Sequence, residues 1–395
     1  MDLDGSATTA ARRELMRELG AEGAVLDELL AYLENPYEAF LFEGKGELLP
    51  LKGEPQVPFW RRYAAEAARD GVLPALRRRF PQLSFPIDEG ISRDPTYRAA
   101  TRRGEWDPEK QNGLVLEEPE SLALSLDDGP AGPVPVLVAP HRPDFVALVR
   151  ALTCRNEPEA VPPAMGACLV KGLADWERVA AYRRDWESAR GGPSSEAEWA
   201  AEMATALAPR KELWQDRLIL LSDGPYSAVP AAEADLPVEE WRRSSLAIRR
   251  AHESFHYLTL RLAGTIRSHL LDELVADYAG LVAAFGRYDA RLALRFLGLD
   301  RLPELRPEGR IVVYRGDLGE GALAVLARLV ERAAGNLAAL PLEGGAEAAP
   351  AQRSRTLVTL AALGLDGIAG ADFRVDFGAA RARLAAAAAG EGAAP

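Results

Sequence analysis

The sequence predicts an α+β protein in which helix dominates. Apolar residues recur at three- and four-residue steps over several long segments, whereas only three short runs have β character. With 395 residues, 48% hydrophobic and 27% charged, the chain is large enough for a sizeable core without help from disulfides.

Taken in order, Leu15, Leu19, Leu26, Leu29 and Leu33 predict helix over 7–35, stopped by Asn35-Pro36. Residues 36–60 read as irregular and 60–80 as helix, and 81–115, rich in Pro, Arg, Asp and Gly, as a long connection. The first β-type run is 133–139, whose prolines suit an edge or the start of a strand. The second, 217–221, is closed by the turn signal Ser222-Asp223-Gly224-Pro225-Tyr226. The third is 310–314. Further helices are predicted over 143–153, 171–190, 194–208, 237–262, 266–285 and 321–339, and the Ala/Gly-rich tail from 385 to 395 is expected to fray. The composition shifts suggest a mostly helical N-terminal region over 1–125 (a lid or accessory domain), a core over 126–345 and a helical extension with a tail over 346–395.

The net charge is −12, so the surface repels phosphate backbones and a nucleic-acid partner is not expected. Cys154 and Cys168 lack the spacing of a metal cluster and are too few for a disulfide framework. The acidic N-terminus has no apolar segment behind it, and no run approaches about 18 apolar residues. The expectation is a cytoplasmic protein acting on a small molecule or a peptide, without membrane attachment.

The chemistry is concentrated in His252-Glu253-Ser254-Phe255-His256. The chain has four histidines, and a chance H-E-x-x-H is expected at roughly 0.004 per chain of this composition. On a helix, His252 and His256 lie one turn apart on one face, so both imidazoles can reach one cation. Glu253 stands beside that face, where a carboxylate can take a proton from water on the metal. The next predicted helix carries Glu273 and Asp277, again one turn apart, with His269 a further turn before them.

H-E-x-x-H followed by E-x-x-x-D on a second helix resembles the gluzincin metallopeptidases. The run from His252 to Asp277-Tyr278 is also similar to an uncharacterised bacterial H-E-x-x-H family. The gluzincin resemblance implies a metallopeptidase-like core with two consecutive active-site helices. It implies that His252, His256 and Glu273 bind zinc, that Glu253 is the general base, and that Asp277 orients one histidine from behind. Sixteen residues separate His256 from Glu273, which leaves Asp277 and His269 as alternatives for the third ligand. Tyr314 and Arg315 are candidates for stabilising an oxyanion, as are Tyr226 and Tyr257.

The function expected on these grounds is a metal-dependent hydrolase, zinc-loaded, acting on an amide or peptide bond. Two histidines and a carboxylate also form the facial triad of Fe(II) oxygenases, so a 2-oxoglutarate-dependent enzyme with Arg315 holding the co-substrate carboxylate is the alternative. A third reading is a non-catalytic, metal-stabilised binding protein.

Overall fold

The computed structural model describes residues 5–41, 49–107, 113–265, 267, 269–307, 309–341 and 350–390. The chain divides into two units, one made of 1–52 with 225–395 and the other of 53–224. Helices outnumber strands throughout, and the α+β, mostly α class holds.

The chain opens in the first unit with α1 (Gly5–Glu18) and α2 (Gly23–Tyr32), so the helix predicted over 7–35 is two helices. The second unit follows, with α3 (Val57–Asp70), α4 (Val72–Arg77), α5 (Pro95–Arg103), β1 (Ala123–Gly129), β2 (Gly132–Val138), α6 (Arg142–Thr153), β3 (Ala167–Ala174), α7 (Trp176–Ala189), α8 (Glu196–Glu202) and β4 (Gln215–Leu221). The strands form one sheet in the order β1-β2-β4-β3. β1 and β2 are an antiparallel hairpin, β2 runs parallel to β4 over Val136–Val138, and β3 is antiparallel to β4.

Pro133 and Pro135 therefore lie in an inner strand, not at an edge. Both precede the stretch paired with β4, so neither removes a donor where the strand has two neighbours. The helix predicted over 171–190 is strand up to Ala174; Asp175 then caps α7, its carboxylate accepting the Glu177 and Arg178 amides. The helix predicted over 194–208 ends as α-helix at Glu202 and continues as a π turn, Met203–Leu207.

The core of this unit packs Trp60, Phe80 and Phe145 against the sheet residues Leu137, Val170 and Leu220. That packing corrects the boundary expected near 125. Helices from 57–77 contribute to the core that the strands close, so 53–125 belong with the sheet. The loop that follows α6 is anchored to the chain before it. Asn156 is fully buried and donates to the Gln82 and Phe85 carbonyls, while Glu157 accepts the Gly90 and Ser92 amides.

The chain returns to the first unit with α9 (Val238–Ala263), α10 (Leu270–Phe285), α11 (Ala290–Leu297), α12 (Arg310–Tyr314), α13 (Glu320–Ala338), α14 (Pro350–Ala369) and α15 (Phe373–Gly390). α15 is helical through Gly390, and the last part of the tail expected to fray, 391–395, lies outside the described residues. α14 packs on α10, α13 and α15, and α13 packs on α2. Thus α14 and α15, expected to be an extension beyond 346, contribute to this unit's core. At the kink of α14, Asn35 donates to the Ala361 and Ala362 carbonyls that the break leaves unpaired.

α9 and α10 form the central pair. Gly280 permits their close approach, because a Cβ there would sit 2.7 Å from Ile248 Cγ2 and 2.9 Å from the Ile248 carbonyl oxygen. The run 310–314, predicted as a strand, is a single helical turn. Among the described residues of this unit there is no strand for its β-branched residues to pair with, and the helical spacing buries Ile311 while placing Arg310 and Tyr314 one turn apart on one face.

Candidate metal centre

The helical period of α9 brings His252 and His256 to the face that meets α10, and both are buried. Their Nε2 atoms are 3.0 Å apart. From α10, Glu273 Oε1 lies 3.4 Å from His256 Nε2, and Oε2 lies 3.6 Å from His252 Nε2. In a tetrahedral zinc site, with metal–ligand distances near 2.0–2.2 Å, neighbouring ligand atoms are about 3.3 Å apart. The two imidazoles and the carboxylate are thus close to the separations such a cation requires, with each Glu273 oxygen facing a different imidazole and one ligand atom from each residue within 4.8 Å of the others. They also form the only His/Cys/Asp/Glu group of this kind among the described residues.

Two features of the donor set favour a cation over a self-satisfied cluster. Glu273 Oε2 is buried and makes no hydrogen bond, its cationic neighbour Arg310 NH1 being in an ion-pair contact at 3.4 Å, although a buried carboxylate oxygen ordinarily has a donor. The facing imidazole nitrogens are acceptors unless one carries a proton. The electrostatics agree. Burial alone depresses the His256 pKa, but the hydrogen bond to Glu273 and the charges of Glu273, Glu253 and Asp272 outweigh it, lifting the value to about 9. Burial opposes ionisation of Glu273, yet His256, His252 and Arg310 hold its carboxyl well below the usual range. A pocket that draws a proton onto an imidazole is one in which a metal ion competes with that proton.

Behind His252 stands a second layer. Asp277, fully buried, places Oδ1 3.1 Å from His252 Nδ1, and the Tyr226 hydroxyl lies 2.8 Å from the same nitrogen. Tyr226 donates to Asp277 Oδ1 at 2.6 Å. With Asp277 an acceptor and the phenolic proton spent on it, His252 Nδ1 is the donor, so Nε2 presents its lone pair to the cluster. Arg310 completes the layer, donating to Asp277 Oδ2 and, at 3.1 Å, to Tyr226 Oη. Tyr226 is itself anchored by its backbone amide on Ser245 Oγ, 3.0 Å away.

His269 is elsewhere. It caps α10, Nδ1 accepting the Leu271 amide at 3.2 Å and Nε2 donating to the Tyr32 carbonyl at 2.8 Å. Burial first, and then the Arg267 charge, lower its pKa to about 4. Of the alternatives for a third ligand, Asp277 faces the rear nitrogen of His252 and His269 faces α2, so Glu273 is the carboxylate that meets both Nε2 atoms.

The comparisons with known proteins give one match. The model of a family of unknown function, DUF7005, covers residues 14–372. The chain belongs to that family. No curated protein and no solved structure matches it.

The remaining residues of this DUF7005 chain that the sequence singled out fall in different places. Glu253 is half-buried on the turn between the two histidines and makes no hydrogen bond or ion pair among the described residues. Tyr314 is half-buried beside Glu273; burial, and then the Glu273 charge, push its phenol pKa up. Its backbone carbonyl accepts from the Tyr32 hydroxyl at 2.8 Å, which in turn accepts the Leu270 amide, so α12 is tied to the start of α10. Arg315 is turned away, bonded to Glu320 Oε1 at 2.8 Å. Arg310 is the residue that sequence reasoning missed. A β-branched run hid it, and only the helical reading of 310–314 would have placed it with Tyr314.

Proposed function

We propose that the chain is a metal-dependent hydrolase, with zinc as the cation and an amide or peptide bond as the target. The observation that carries this reading is the convergence of His252 Nε2, His256 Nε2 and Glu273 at metal-ligand separations, with an unpaired Glu253 on the adjoining turn. A divalent cation held there supplies Lewis-acid polarisation of a carbonyl and acidifies water. Glu253 is placed to take the proton from the attacking water and deliver it to the departing amine. Asp277 and Tyr226 keep the His252 ring in the tautomer that ligates, and Tyr314 is the nearby phenol able to hydrogen-bond a developing oxyanion.

Two observations favour hydrolysis over the 2-oxoglutarate reading. Arg310, the guanidinium beside the cluster, is committed to Asp277 and Tyr226, and Arg315 is paired with the exposed Glu320 and not with any residue of the cluster. An oxygenase triad also gives Glu253 no task. The test is Glu253→Gln, assayed on a quenched-fluorescence peptide library. The expected result is unchanged metal content with turnover lowered roughly 10²–10⁴-fold. Turnover at the wild-type level would overturn the role of Glu253.

A further inference from the structure

We propose that Arg310 is a positioning residue that confines Glu273 to ligation through a single oxygen, which keeps one coordination position open. The inference rests on the metal-site reading above. Both Glu273 oxygens are within reach of an imidazole, Oε1 at 3.4 Å from His256 Nε2 and Oε2 at 3.6 Å from His252 Nε2. The carboxylate by itself therefore permits bidentate ligation. Arg310 breaks the symmetry, since its NH1 lies 3.4 Å from Oε2. The contact is an ion pair and not a hydrogen bond, and the positive charge beside Oε2 competes with a shared cation for that oxygen, which leaves Oε1 as the ligand.

Arg310 is held for this purpose by a built segment. Its NH2 is fixed by Asp277 Oδ2, its NH1 by Tyr226 Oη at 3.1 Å, and its Nε donates to the Phe296 carbonyl at 3.3 Å. The loop before it closes on itself, with the Arg306 amide donating to the Gly298 carbonyl at 3.1 Å and the Arg306 guanidinium gripping both oxygens of Asp300. Gly298 and Gly309 touch, so that a Cβ on Gly298 would sit 2.5 Å from Gly309 Cα. One protein oxygen and two imidazoles leave a fourth position for water or substrate, as a catalytic site requires, whereas a bidentate carboxylate would crowd it.

The test uses the full chain loaded with Co²⁺, whose visible absorption reports coordination number. The wild type is expected to show the intense band of a four-coordinate ion. Arg310→Met, at equal cobalt occupancy, is expected to lose intensity by roughly twofold or more as Glu273 becomes bidentate. Arg310→Lys, which keeps the charge, is expected to stay closer to the wild type than Arg310→Met does. An Arg310→Met spectrum equal to that of the wild type overturns the inference and leaves the metal reading intact. A wild-type chain that takes up no Co²⁺ overturns both. Should Arg310→Met fail to fold, X-ray absorption of the wild-type cobalt protein decides the matter. A single carboxylate oxygen on the ion is expected, and the short metal–carbon distance of bidentate ligation would overturn it.

Discussion

In the sheet unit, Asp175 and Asp216 are fully buried beside Arg178; in the helical unit, Glu273 and Asp277 are buried beside Arg310. The inventories are alike and the wiring differs. Every carboxylate oxygen of the first cluster has a donor. Asp216 accepts from Trp60 Nε1 at 2.7 Å and from Arg178, and Asp175 accepts from Tyr63 Oη at 2.7 Å and from the Glu177 and Arg178 amides. In the second cluster, Asp277 is satisfied in the same manner, but Glu273 Oε2 has the Arg310 ion pair and no hydrogen bond, and two imidazole nitrogens point at each other. Buried polarity that closes on itself ties elements together. Buried acceptors that converge without donors mark a place for a cation.

The largest effect should come from opening the closed cluster. Asp216→Ala leaves Arg178, itself 2% exposed, without its carboxylate, and should cost about 3–5 kcal/mol in denaturant unfolding. The metal content of the molecules that remain folded should not change. A cost below about 1 kcal/mol would show that the cluster does not brace its unit.

Next is an acid effect at the base of α10. His269 is neutral in the folded state because burial, and then the Arg267 charge, lower its pKa from 6.5 to about 4, and its Nδ1 accepts the Leu271 amide. The unfolded chain therefore binds this proton first. The stabilisation is complete above about 6.5, is lost as pH falls towards 4, and amounts to about 3 kcal/mol at most. His269→Asn, which caps without titrating, should flatten the stability–pH slope between those values. An unchanged slope would remove His269 from the explanation.

The smallest effect is on affinity. Asp277→Asn retains an acceptor for His252 but loses the negative charge behind the ring, and metal affinity should fall roughly 10–100-fold in competition with a chromophoric chelator. Unchanged affinity would mean that the layer behind His252 is structural, as the Asp175–Asp216 cluster is.

What the sequence made legible follows from the range of each signal. His252 with His256, and Glu273 with Asp277, are pairs one helical turn apart, so the period of α9 and α10 alone brings each pair to one face. Tyr226 reaches His252 from 26 positions away and Arg310 reaches Asp277 from 33, and no local pattern announces either contact. The segment 310–314 was misleading because Ile, Val and Val favour strands when a partner is available. The end of β3, from 171 to 174, reads as helix because Asp175, which caps α7, marks the change only once the fold is known. Domain boundaries were the least legible, since the first unit is built from both ends of the chain.

The decisive measurement is metal content by mass spectrometry on protein purified without a metal-affinity tag, beside His252→Ala. About one zinc per chain, absent from the variant, is the predicted result. A folded wild-type chain that carries no metal and takes up none on reconstitution would contradict it, and would leave the two histidines and Glu273 as packing.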